Sequence, residues 1–252
     1  MSLALILAIV FFSSLVLTMV GLGGGLIFSP LFILLGFPLS TALSASLFLN
    51  AVAAASASIT YMRKRMVDLH LALPLIISSA MAAPLGAMIS HLVNRCIFMA
   101  LLAAVIFIAA LRMLFSTTME ASPKELSTFQ RGAGGALIGG LVGLMAGLLG
   151  IGGGVFIVPL LIYVLKVPTK TAAATTMFIV VFSSVTGFVT HVSLGEVDWK
   201  FIMGAAIFSF AGGQLGSRIM AEKLKGLTVR RIFGVVLLVF AFKLLHKVWA
   251  CL

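Results

Sequence analysis

The apolar residues of this chain fall in ten runs, roughly 2–20, 22–36, 40–62, 69–90, 96–114, 132–150, 152–166, 170–193, 199–217 and 229–249. No other feature limits the possible folds so strongly. At about 1.5 Å rise per residue, a helix needs about 20 apolar residues to cross the hydrocarbon core of a bilayer. Most of the runs approach that length. They are rich in Leu, Ala, Phe, Met and Gly, without the two-residue alternation of barrel strands. Of the 252 residues only 9% are charged and 62% are hydrophobic, against about 25% and about 45–50% in soluble domains. Too few charges remain to cover a surface facing water. The expected fold class is an all-α polytopic membrane protein, with lipid as the partner of its exterior. The first run, MSLALILAIVFFSSLVLTMV, has no basic leader and no small-residue cleavage site. It reads as the first membrane element rather than a removed signal peptide.

The ten runs are two copies of one plan. Residues 21–32 read GLGGGLIFSPLF and residues 148–161 read LLGIGGGVFIVPLL. Aligning the triple glycines pairs Gly23, Gly24 and Gly25 with Gly152, Gly153 and Gly154, and Pro30 with Pro159. After one inserted residue the register continues through Pro38 and Pro168, Thr41 and Thr171, Ser46 and Thr176, Phe48 and Phe178, Asp68 and Asp198, and Gly86 and Gly216. A register held that long marks a duplication. The expected organisation is a first membrane repeat at 1–114, a linker at 115–131 and a second repeat at 132–252. Five elements per repeat, an odd number, set the second copy upside down relative to the first.

Loop charge tests the inversion separately, because basic residues in short loops mark the cytoplasmic side. Inversion turns the loops at 61–70, 112–131, 166–170 and 217–231 to that side, and they carry thirteen of the 17 Lys and Arg. Both termini are then expected outside. The net charge of +11 is thereby a topology signal, and nucleic acid is not an expected partner. Cys96 and Cys251 form no disulfide framework or zinc pattern, and His70, His91, His191 and His246 are scattered. No metal and no cofactor is expected.

The second element of each copy is short, begins at the glycine cluster and contains a proline. Fifteen residues of helix reach only about 23 Å. Short, Gly/Pro-interrupted segments at matching places in two halves point to a transporter's central site. Close helix packing also uses glycine, but three in succession, in both copies, suits a broken backbone better. A helix that starts at such a break presents free N–H groups and the positive end of its dipole, which favours anions. The expected substrate-binding residues are therefore Gly23, Gly24, Gly25, Gly152, Gly153 and Gly154, completed by Ser44, Ser46 and Asn50 of the third element and Thr175 and Thr176 of its counterpart.

All six acidic residues, Asp68, Glu120, Glu125, Glu196, Asp198 and Glu222, fall in loops or at element ends. Carriers coupled to protons or cations commonly place ionisable groups inside the bilayer. Potential-driven export of an anion by alternating access suits this inventory. An ion-coupled anion permease and an anion channel of the same architecture stay open. An intramembrane serine protease would need a Ser–His pair on one cavity, for which His191 with Ser183 or Ser184 is the one loose candidate, so no enzyme is expected.

At GLGGGLIFSPLF (21–32), GIGGGVFIVPLL (150–161) and KVPTKTAAATT (166–176) the chain resembles the TauE/SafE family of bacterial sulfur-anion exporters, over essentially its whole length. In the first copy PLSTALSAS stands where the second has the more family-like PTKTAAATT. The resemblance implies a small anionic substrate, a sulfonate or sulfur oxyanion such as sulfoacetate or sulfite. It implies a multi-pass protein of the bacterial plasma (inner) membrane. A homodimer stays open as an assembly.

Overall fold

In a computed structural model of the chain, residues 3–23, 25–37, 39–89, 95–115, 128–149, 154–192 and 199–249 are described. Among these residues all regular structure is helix: α1 (Leu3–Val20), α2 (Gly25–Leu34), α3 (Leu39–Arg63), α4 (Leu69–Ile89), α5 (Arg95–Phe115), α6 (Thr128–Leu149), α7 (Gly154–Tyr163), α8 (Thr169–Val192), α9 (Trp199–Glu222) and α10 (Gly226–Trp249). Ser44–Arg63 of α3 and Thr169–Val189 of α8 are long and apolar enough by themselves to cross a bilayer. The outward surface is also apolar. Phe12, Ile77, Met81, Ile207, Val239 and Phe242 are each more than half exposed, an arrangement that water penalises and lipid does not. The protein is a helical membrane protein.

Its packing is regular. α3 lies against α8 and α5 against α10, while α4 pairs with α6 and α1 with α9. Exchanging α1–α5 for α6–α10 maps each of these pairings onto itself or onto another. The α4–α6 and α1–α9 seams draw their glycines from the second half. A Cβ on Gly135 would come 2.7 Å from the Leu71 carbonyl, and one on Gly143 2.7 Å from the Ser79 Cα. One on Gly216 would come 2.5 Å from the Thr18 hydroxyl. Small residues at i, i+4 spacing let these backbones touch, which is how helices associate where lipid removes the hydrophobic drive. A polar tie adds to the second seam: Ser14 and Ser209 lie 3.0 Å apart and Ser209 donates to the Leu49 carbonyl at 2.8 Å.

The basic loops gather at one end of the bundle. Lys64 donates to Glu222 at 2.7 Å, Arg131 donates to Asp68, and the Lys170 ammonium donates to the Ala221 carbonyl at 3.1 Å. The hydrogen bond and charge of Lys64 hold the exposed Glu222 carboxyl below the usual carboxylate range. Gly36 and Lys166, equivalent in the repeat register, end α2 and α7 with φ of +85° and +55°. The closing bonds run from Phe37 N to Phe32 O and from Val167 N to Leu161 O. The second spans one residue more, so the inserted residue of the second copy falls at the end of α7.

Candidate functional site

The site begins where α1 stops. Gly21 takes φ +83° and Leu22 N bonds back to Leu17 O at 3.0 Å, the six-to-one bond that closes a helix C-terminus. A Cβ on Gly21 would stand 2.7 Å from the Ala173 Cα, so the turn lies directly on the α8 backbone. Gly23 follows with φ +73°, and a Cβ there would run into the Asn50 amide oxygen and stand 3.0 Å from a Val180 methyl. Only glycine satisfies both demands at these two positions.

α2 and α7 each start on the third glycine of their triplets, Gly25 and Gly154. Each contains ten residues, and Pro159 lies inside α7. At about 1.5 Å per residue they are about 15 Å long, half the thickness of a hydrocarbon core. The sequence limits of 22–36 and 152–166 reach past the far ends of both helices, where residues 35–37 and 164–167 form the capping turns, and in the first copy Leu22 and Gly23 precede α2. The start of α7 faces the first break. A Cβ on Gly154 would be 3.0 Å from the Leu22 carbonyl and 3.1 Å from the second methyl of Val180. One valine thus lies beside both the first break and the start of α7.

Beside it, Asn50 is 7% exposed and donates from Nδ2 to the Ser184 hydroxyl at 2.7 Å. Its Oδ1, turned toward Gly23, has no hydrogen-bond partner among the described residues. A buried acceptor without a partner is costly and uncommon, and it marks a place where a bound group belongs. Asn50 lies near the middle of α3, on the face that meets α8. The first break at Gly23, the start of α7 at Gly154, one free amide end and a serine hydroxyl therefore lie side by side within the bundle.

The other expected residues lie apart from this cluster or are committed within the protein. Ser46 accepts from Ser29 at 2.9 Å, and Ser44 is fully buried with a partner of its own. Thr176 donates to the Ala172 carbonyl at 2.8 Å, one turn back on its own helix. Thr175 accepts from the Asp68 amide at 3.0 Å and so pins the α3–α4 loop to α8. Gly24, Gly152 and Gly153 lie outside the described residues. Ser184 and Val180 had no place in the expected binding set. Val180 occupies the repeat position of Asn50, so the register alone could have found it. Ser183 donates to the Val180 carbonyl at 3.2 Å and Ser184 accepts from Asn50. Among the described residues no group of His, Cys, Asp and Glu could hold a metal ion.

In a helical membrane protein, two half-length helices that start on glycine triplets at matching places of the chain point to a transporter. The chain matches the family described as Sulfite exporter TauE/SafE over residues 6–244 and belongs to that family. It is a membrane transport protein and not an enzyme. It is 28% identical to the probable membrane transporter protein YunE of Bacillus subtilis (strain 168), over 91% of this chain and 92% of that protein. A probable membrane transporter protein of a Sinorhizobium species, ORF9, is 27% identical over 88% of this chain and 85% of its own length. The probable membrane transporter protein YdhB of Bacillus subtilis (strain 168) is 34% identical, but over 42% of this chain and 46% of that protein. No solved structure matches the chain.

Proposed function

We propose that the protein exports a small sulfur-containing anion, sulfoacetate, sulfite or a related organosulfonate, by alternating access across a bacterial inner membrane. The observation that carries this reading is the approach of the α7 start at Gly154 to the Gly23 break, with Val180 beside both and the Asn50 amide oxygen next to Gly23. Helix N-termini supply N–H donors and positive potential where an anion would sit. Gly23 and Gly154 form the floor of the site, the rest of the two glycine triplets supply further backbone N–H donors by their sequence positions, and Asn50, held by Ser184, orients the ligand. Ser46, bonded to Ser29 of α2, and Thr175, bonded to the Asp68 amide, act one layer out by holding α3 and α8 in place, with Ser44 and Thr176 beside them on the same two helices. The name of the family supplies the sulfur-oxyanion class.

The proposal includes two inverted repeats of five elements, with the Lys64–Glu222 end of the bundle in the cytoplasm and both termini outside. Cysteines placed at Lys64 and Glu196 should react with an impermeant thiol reagent from opposite sides of the membrane. Reaction from the same side would end the inversion.

The substrate is tested by flux from proteoliposomes over a panel of sulfite, sulfoacetate, taurine, thiosulfate and sulfate. Saturable efflux is expected for sulfite or a sulfonate, with sulfate poor. Non-saturating flux would mean a channel. One observation favours a second reading, an ion-coupled anion permease: the free atom of Asn50 is an oxygen, which can ligate a monovalent cation together with backbone carbonyls. Collapse of flux on removal of a sodium or proton gradient would select it.

A further inference from the structure

Hydroxyls inside this bundle find protein partners by two routes. Thr18 and Thr176 donate to the carbonyl four residues back, and Ser79, Ser183 and Ser217 to the carbonyl three back. Ser14, Ser29, Ser56 and Ser209 instead bond to another helix. Ser58 takes neither route. It is 5% exposed, and among the described residues it is the one serine or threonine hydroxyl sealed from solvent without a hydrogen bond. A helical serine always has its own backbone carbonyls within reach, and an orphaned buried polar group calls for an explanation.

Its position supplies one. Ser58 follows Asn50 by eight residues on α3, about 12 Å along the axis toward the Arg63 end. Ala54 stands one turn from each, and i, i+4 spacing keeps all three on neighbouring strips of one side of the helix. Ala54 and Ala57, which lie between the two polar groups in sequence, share one buried apolar cluster with Ala173, Met177 and Val180 of α8. Past Ser58 come the exposed Arg63, Lys64 and Arg65. Among the described residues of α3, Asn50 and Ser58 are the two with a buried, unpartnered polar atom.

We propose that Ser58 is an inner way-station for the transported anion, a second binding point between the basic loops and the Asn50 centre. The inference rests on the transport reading above. The ligand is a small oxyanion, to which the hydroxyl donates one hydrogen bond. A single neutral donor holds such an ion weakly enough to pass it on. Separation of α3 from α8 at this apolar cluster opens the route.

Two measurements test it. On a background with Cys96 and Cys251 replaced by serine, Ser58→Cys in membrane vesicles should react with the anionic, impermeant reagent methanethiosulfonate ethylsulfonate from the cytoplasmic side, and far more slowly from outside. No reaction from the cytoplasmic side overturns the station whatever the flux assay gives, because a sealed interface passes no anion. In proteoliposomes, Ser58→Ala should raise the efflux KM about fivefold, the worth of one hydrogen bond, with little change in kcat or in the KM for anion offered from outside. An unchanged efflux KM also overturns the station while leaving the transport reading intact. If the unmutated protein moves no sulfur anion, the substrate reading fails instead, and the labelling result decides the station alone.

Discussion

Replacing Gly23 with leucine is expected to abolish transport while leaving a protein that still inserts and can be purified. Two costs combine at this position. A left-handed backbone costs a residue with a Cβ about 1–2 kcal/mol, and Gly23 holds φ +73°. The added side chain also enters space taken by the Asn50 amide and Val180, and overpacking of this kind costs about 1–3 kcal/mol. At about 1.4 kcal/mol per factor of ten, the two together remove transport-competent protein by on the order of a hundredfold or more. The control is Gly204→Leu on α9, where a Cβ meets nothing within 4 Å. That variant should transport and express near normally. Both should elute as single species from size-exclusion chromatography in detergent. Near-normal flux by Gly23→Leu would show that the break does not form the site. Loss of flux together with aggregation would show that the glycine serves packing first.

Much of this architecture is written in the chain, and the rest is hidden for identifiable reasons. The ten apolar runs correspond to the ten helices because a membrane helix satisfies its own backbone and needs only length and apolarity. The starts of α2 and α7 were legible as glycine triplets, whereas their lengths were not. The ends depend on capping turns at Gly36 and Lys166, and a lysine at φ +55° carries no turn signature. Asn50 stood out as a carboxamide in an apolar run, which must either pair or bind. Thr175 and Thr176 looked equally polar, but a hydroxyl's partner depends on the neighbouring helix and on which face it presents. Adjacent residues on a helix point about 100° apart, so Thr175 meets the Asp68 amide while Thr176 returns to its own backbone. The seam glycines of α6 and α9 were visible in sequence at i, i+4 spacing. Their partners were not, because α4 and α1 meet them with backbone carbonyls that leave no trace in residue type.

The largest effect is expected from voltage. In proteoliposomes loaded with a sulfonate dianion, an inside-negative potential should accelerate efflux with no added proton or sodium gradient. The reasoning starts from where the acidic residues are. Asp68 is paired with Arg131 and Glu222 with Lys64, both at the end of the bundle where the loops gather. Glu120, Glu125, Glu196 and Asp198 belong to connecting segments of the sequence. The centre, where Gly23, Gly154, Asn50 and Ser184 meet, contains no carboxylate among the described residues. Among the described residues no titratable side chain stands there to carry a proton with each cycle, and no fixed negative charge to compensate that of the ligand. An anion crossing such a centre moves its full charge through the field. Each charge moved outward gains about 2.3 kcal/mol per 100 mV, so a dianion gains about 4.6 kcal/mol. That is a factor of roughly two thousand in the equilibrium ratio, by the same conversion of about 1.4 kcal/mol per decade. A valinomycin-clamped potassium gradient sets the potential, and the trapped anion is followed with time. Electroneutral exchange or obligatory co-transport would leave the flux indifferent to the clamp. Indifference to potential, with collapse on removing a sodium gradient, would reject the uniport. The free oxygen of Asn50 would then be the first place to seek the coupling ion, through loss of sodium dependence in Asn50→Ala.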